Sequence, residues 1–302
     1  MTRPGPGMDH DLYRFSPITA RPALRWPEGK AVAMNVILYF EHWELGPPKG
    51  SYQDPRLRDP IADFYPAYRM WTWREYGHRV GIFRILKLLD ELGLPVTVAA
   101  NSAACQRFPY LVEAFLKRGY EFAAHGTHAS RMLTSRMSET EERAVIAESI
   151  DVLTRLSGRR PAGWVGQDMG ESTRTPAILA DMGFDYLIDW PNDDQPFPMT
   201  LGRPMVALPL QSEWDPVQSI WSRKIAPERY AVLVGEALQT LQEEGRESGR
   251  YFGLQIHPWI LGKPHIFPHF ARALRAAATS DDMWLATAGE TAGVFARQQV
   301  WD

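Results

Sequence analysis

An α/β fold, a distorted (β/α)7–8 barrel in a single domain, is what this sequence predicts, and three observations carry the prediction. Short apolar runs alternate with stretches of helical period from about residue 30 to the end. No composition break divides that stretch, so 30–302 reads as one domain behind an irregular lead-in, 1–29, rich in Pro, Gly and charge. Acids and histidines recur where one apolar run after another stops. Near-continuous apolar runs are strands covered on both faces, the habit of parallel sheets, and parallel strands need helical crossovers.

Taken in order, Ala31–Phe40 (AVAMNVILYF) is the first strand, nearly all apolar. Residues 43–78 follow as a long loop with Pro, Gly, Asp and several aromatics, and a loop of that size usually forms a wall or lid over a site. Arg79–Gly93 has helical spacing and stops at a glycine; Pro95–Ala100 is a β-branched strand. Tyr110–Gly119 is a helix and Tyr120–Ala124 a strand. Ser138 and Glu141 form a capping box that opens a helix to about Ser157. Ala162–Gly166, Phe184–Asp189, Met205–Leu208 and Tyr251–His257 are further strands, with helices near 175–182, 226–245, 265–279 and 288–297 and a short last strand at Met283–Thr287.

Charge and composition exclude several roles. The net charge is −3, from 33 basic and 36 acidic side chains, which gives no basic excess for nucleic acid. No apolar run has the length of a membrane span, and the N-terminal residues lack the apolar core of a signal peptide. The expectation is a cytoplasmic protein with no nucleic-acid or membrane partner; a homo-oligomer is left open. Cys105 is the one cysteine, in a context (Ala103-Ala104-Cys105-Gln106) that offers no activation, so it reads as a buried thiol. The abundant Trp, Tyr and Phe fill a core before they line a pocket. His265 and His269, four apart on a helix, have no acid motif between them and read as a solvated face.

The strand ends carry the chemistry. The first ends in Glu41-His42-Trp43-Glu44, the third in His125-Gly126-Thr127-His128, and the fourth runs into Trp164-Val165-Gly166-Gln167-Asp168. The fifth gives Asp189-Trp190-Pro191-Asn192-Asp193-Asp194, and the last long strand ends in His257-Pro258-Trp259. One histidine ending an apolar strand is more often a satisfied core residue. Agreement across so many strand ends points to an active site at the mouth of a barrel, where such enzymes place their catalytic groups.

This order resembles the NodB homology domain of the polysaccharide deacetylase superfamily, carbohydrate esterase family four. Phe40-Glu41-His42 resembles its acidic pair, Glu121–His128 its His motif, and Leu254-Gln255-Ile256-His257 its last motif. Asn35–Glu41, Arg160–Trp164, Trp73, Tyr76-Gly77 and Arg79-Val80-Gly81 are more similar to an allantoinase-like or cyclic-imide-hydrolase-like branch. The resemblance implies a hydrolase acting on carbon–nitrogen, non-peptide bonds: an amidohydrolase or deacetylase of a small cyclic or N-acyl amide. It also implies a divalent metal such as zinc on the second acid and two histidines, which here would be His42, His125 and His128. His128 stands three residues after His125 rather than four, Ala129 occupies the fourth place, and Val165 or Gly166 replaces the usual third-motif arginine. The branch includes members without metal, so both states stay open.

The roles follow from what amide hydrolysis needs: an activated water, a stabilised oxyanion and a proton for the leaving nitrogen. Glu41 is the expected base, its pKa raised by desolvation, and His257 the expected acid. Asp193 or Asp194 would orient that acid. His125 binds metal or the substrate carbonyl; His42 is a second ligand or a substrate contact, and His128 a ligand or part of a turn. Glu44, Trp164, Gln167, Trp190 and Trp259 are expected to touch substrate, with Asp168 beside them. The alternatives are a glycoside hydrolase using Glu41 and Asp193, against which the histidine-rich strand ends speak, and a non-catalytic sugar-binding barrel.

Overall fold

β1 (Val32–Phe40) runs through the middle of the sheet in the computed structural model, which describes residues 5–52, 59, 65–299 and 301. Residues 53–58 and 60–64, in the segment expected to be a long loop, lie outside the described residues. Every residue of β1 is buried. Val32, Met34, Val36, Leu38 and Phe40 pack outward into the larger core under the helices; Ala33, Ile37 and Tyr39 pack inward into a smaller one. The period-two alternation of a strand therefore finds apolar cover on both sides, which is why the run shows no polar face in sequence.

The other strands are β2 (Val96–Ala100), β3 (Glu121–Ala124), β4 (Gly163–Val165), β5 (Tyr186–Asp189), β6 (Phe197–Pro198), β7 (Val206–Pro209), β8 (Arg250–Ile256) and β9 (Met283–Leu285). They lie in the order β6-β7-β5-β4-β3-β2-β1-β8, with β9 against the first half of β1. All pairs are parallel except the short β6 on β7. Among the described residues no backbone ladder joins β7 to β8. That seam is bridged by side chains: Gln255 Nε2 donates to Gln211 O at 3.0 Å and Trp214 Nε1 to Gly253 O at 3.2 Å. The barrel is curled but unsealed, which is its distortion.

Part of the expected loop is helical. α1 (Tyr68–Tyr76) runs through one π turn at 77–81 into α2 (Ile82–Leu92), which stops at Gly93 with φ 61°. The apolar residues of α1 form no single stripe, so periodicity could not reveal it. α3 (Ser102–Arg107) and α4 (Pro109–Leu116) follow β2, and α5 (Glu139–Ser157) begins at the expected capping box, with Ser138 N donating to Glu141 Oε2 at 2.8 Å. α6 (Thr175–Asp181), α7 (Pro227–Gly245), α8 (Pro258–Leu261), α9 (Phe267–Ala278) and α10 (Ala288–Ala296) complete the outer layer. Among the described residues no helix is long and apolar enough to cross a membrane.

The end of the barrel where strands begin is closed. Glu121 accepts from Thr97 Oγ1 at 2.7 Å, from Tyr186 OH at 2.8 Å and from Gly289 N at 3.1 Å, the last a first-turn amide of α10. A carboxylate against a helix N-terminus meets its free N–H groups and the positive end of its dipole. Leu24 and Trp26 of the lead-in join the inner core beside them, and Trp26 Nε1 donates to Arg250 O at 2.7 Å.

Candidate active site

At the opposite end, the inward face of β1 continues past the strand: Ala33, Asn35, Ile37 and Tyr39 are followed by Glu41. The Glu41 carboxylate lies between two imidazoles. His257 Nδ1 is 3.1 Å from Oε2, and His125 Nε2 is 3.6 Å from Oε1. His257 ends β8 and stacks on Tyr39 with ring centroids 4.0 Å apart. Its other nitrogen, Nε2, is 3.6 Å from Asp215 Oδ1. His125 Nδ1 sits 2.8 Å from Val165 O, so that nitrogen carries the proton and Nε2 faces Glu41. Asn101 ties the three strand ends together: its Nδ2 donates to His125 O and its Oδ1 accepts from His42 N at 2.9 Å.

The charges follow from that packing. Burial alone would raise the Glu41 pKa, but the His257 charge and hydrogen bond, with the His125 imidazole on its other side, pull it well below the carboxylate range. This corrects the expectation of a pKa raised toward neutrality: desolvation operates, and loses to the two partners. Burial would lower His257, but Glu41 and then Asp215 raise it above its ordinary value. The pair is a carboxylate and an imidazolium.

Above them a narrow cleft opens to solvent, with about 30 Å3 of enclosed space. Tyr39, Glu41, Trp43, Gln167, His257 and Trp259 are among its walls. Trp259 reaches it because α8 packs tightly on the π turn, where any Cβ at Gly81 would fall 2.2 Å from Pro258 O. Asp168 and Met169 line the other side in left-handed backbone, φ 52° and 59°, a strained pair of the kind that collects at functional sites. Behind them Gly166 leaves room for Asp189, whose carboxyl would meet a Cβ at 2.1 Å. Burial, then the neighbouring Glu171 carboxyl, pushes Asp189 far up, and burial raises Glu171 as well, so the two share a proton instead of holding two charges.

Several expected site residues are elsewhere. Asp193 is paired with Arg21 of the lead-in (2.5 Å) and accepts from Gln195 N; it does not touch His257, and Asp215 takes that place. Asp194 is not a wall of the cleft either. Glu44 is consumed by Arg131 (2.5 Å) and Ser130 (2.9 Å). Trp164 has no exposed surface and belongs to the outer core; Trp190 packs on Tyr13 at 5.6 Å, away from the cleft. Gln167 and Trp259 are where expected, in its wall.

The metal ligands expected from the resemblance are not assembled. His125 turns its free nitrogen to Glu41, whereas His42 and His128 lie side by side, centroids 5.8 Å apart, with His128 Nε2 toward Glu44 at 3.9 Å. Burial first, then nearby cations, lowers His42 to about 4. No group of three His, Cys, Asp or Glu that could hold an ion occurs among the described residues. The donor set does not fit the ion, and no step below uses one. His265 is exposed and precedes α9, while His269 pairs with Glu228 at 3.1 Å; Cys105 is buried, its thiol pushed up to about 12.

Asp215, Tyr39 and Asn101 escaped the sequence reading. Asp215 precedes Pro216 in a segment with no strand in front of it, and only its Asp-Pro helix-start pattern could have flagged it; its Oδ1 accepts from Val217 N at 2.9 Å.

Residues 75–187 match the family model described as Polysaccharide deacetylase, a span that includes His125 but neither Glu41 nor His257. A Schizosaccharomyces pombe protein provisionally named a polysaccharide deacetylase is 23% identical over 299 residues, covering 90% of this chain and 91% of that one. The crystal structure of a probable polysaccharide deacetylase from Pseudomonas aeruginosa PAO1 superposes with a TM-score of 0.83 at 24% identity, covering 93% and 96% of the two chains. That of Puue allantoinase superposes with 0.84 at 23% identity, covering 98% and 99%. Over the matched span this chain is similar to the polysaccharide deacetylases, and along almost its whole length it shares the fold of the two solved structures.

Proposed function

We propose that the protein hydrolyses a carbon–nitrogen amide bond of a small molecule, with Glu41 as base and His257 as acid. One observation carries the reading: a half-buried carboxylate held between two imidazoles on the floor of a small cleft, one of them backed by a second carboxylate. The names of the relatives, deacetylase and allantoinase, point to the same class of bond.

Glu41 is ionised at neutral pH and so can accept a proton. Oε1 and His125 Nε2 are both acceptors, and a water between them could donate to each while its lone pair faces the cleft. Attack on the substrate carbonyl sends a proton from that water to Glu41. Neutralising the carboxylate loosens its hold on the Nδ1–H of His257, which is delivered to the departing nitrogen; Asp215 keeps Nε2–H and the ring in place. The bond to nitrogen breaks, leaving an acid and an amine. Gln167 supports orientation: its Nε2 donates to His128 O, which leaves Oε1 as a buried acceptor for a substrate N–H.

The test is a panel of cyclic imides, ureides and N-acetyl sugars with products identified. Acid plus amine from at least one member, abolished in Glu41→Gln, is the expected result. Release of reducing sugar from a glycoside would instead mean that the carboxylate serves glycosidic chemistry.

A further inference from the structure

Trp43, two residues past Glu41, packs on the outer core and also lines the cleft beside Tyr39 and Glu41. It also walls a second, very small cavity of about 10 Å3, shared with Arg74, Gly77, His78 and Trp259. The residue is 8% exposed, and its indole Nε1–H is buried without a hydrogen-bond partner among the described residues. A dry, unmatched donor costs stability. Arg74 stacks its guanidinium 3.7 Å from the centroid of the indole ring. That contact fixes the ring plane, and a cation over the ring withdraws electron density, making the N–H a better donor.

Amide attack creates negative charge on the carbonyl oxygen, and the proposed mechanism so far gives that charge nothing. His257 is committed to the leaving nitrogen and Glu41 to the water. We propose that the Trp43 indole N–H is the oxyanion donor of this site, with Arg74 positioning and polarising it. The inference rests on the amide-hydrolase reading above. Its logic is that of a preorganised dipole: the donor is dehydrated in the folded protein, so no reorganisation is needed when charge develops. Asp168 and Met169 close the cleft opposite and help to keep competing water out.

The test removes the N–H and keeps the ring. Trp43→Phe, or 3-benzothienylalanine at position 43 should the phenyl ring fail to fill the site, is compared with wild type on an amide that wild type hydrolyses. A donor used only in the transition state predicts a fall in kcat of about 10²–10³-fold with KM changed little. Affinity for a phosphonamidate analogue of the tetrahedral state falls by a similar factor, while affinity for the unreacted amide is kept. Arg74→Gln gives a smaller loss of kcat, and Arg74→Lys restores part of it. Turnover retained in the benzothienyl protein, or a loss confined to KM, overturns the oxyanion role and leaves the hydrolase reading standing. A wild-type protein that hydrolyses no amide of the panel sinks both.

Discussion

The two ends of the barrel each hold a half-buried glutamate at a strand of the same sheet, and they treat it in opposite ways. Glu121, where β3 begins, has both oxygens occupied by Thr97, Tyr186 and the first turn of α10. Glu41, one step beyond the end of β1, meets among the described residues two imidazoles, one at hydrogen-bond distance and one at 3.6 Å. Around it the acceptor nitrogen of His125, the Gln167 carbonyl and the Trp43 N–H are buried without partners among the described residues. A satisfied carboxylate stabilises a fold. An under-satisfied one, ringed by orphaned donors and acceptors, is waiting for a ligand to complete it.

Substitution at the two positions gives the largest expected effect and the sharpest way to break that contrast. Glu41→Gln keeps shape and removes the base, so kcat should fall by roughly 10²–10⁴-fold with the melting temperature little changed. Glu121→Gln replaces an acceptor of three donors with a group that must also place an NH2, and should cost on the order of 1–3 kcal/mol of stability. Its folded fraction should still turn over substrate. If Glu121→Gln abolishes turnover in protein that melts normally, the floor is not merely structural.

Next in size is the carboxylate behind the acid. Asp215→Asn takes away one of the two charges that raise His257, so the high-pH limb of activity should move to lower pH and kcat should fall about tenfold or more. Asp193→Asn, which disturbs the link to the lead-in and the turn at Gln195, should leave the limb where it was. A shift caused by Asp193 and not by Asp215 would reverse the assignment. Wild type itself should show a plateau wider than unperturbed groups would give. Its acid limb lies below the ordinary carboxylate range because Glu41 is lowered, and its alkaline limb above ordinary histidine because His257 is raised. A narrow bell centred between unshifted values would mean that the ion pair does not form.

Much of this was legible beforehand. β1 declared itself because covered strands are apolar on both faces, and Glu41, His125 and His257 could be paired in advance because strand ends of parallel sheets share one rim. What stayed hidden depends on distances that no local pattern encodes. Asp215 and Asp193 look alike in sequence; a long excursion after β7 brings one to His257, and Arg21 claims the other. The Glu41 pKa was misjudged because desolvation can be inferred from a strand end, whereas the two imidazoles that outweigh it come from β3 and β8. Trp164 reads in sequence as a substrate contact because it stands near a strand end; the alternation turns it outward into the core.

The smallest expected effect concerns His78, on the π turn, whose ring lies 4.5 Å from Phe108 and 5.5 Å from Phe40 by centroids. Burial lowers its pKa from 6.5 to about 4, with Glu41 opposing weakly. The folded protein therefore holds this ring neutral over a range in which the unfolded chain protonates it. The sign is that of a depressed group: the contribution is fully present above pH 6.5 and is lost as pH falls through about 4. Urea midpoints should decline across that window, and His78→Phe, which cannot protonate, should flatten the decline without moving the acid limb of activity. If the acid limb moves with it, His78 senses the charge on Glu41 strongly enough to belong to the catalytic end of the barrel, and the line between a satisfied structural group and a working one has to be drawn one residue further out.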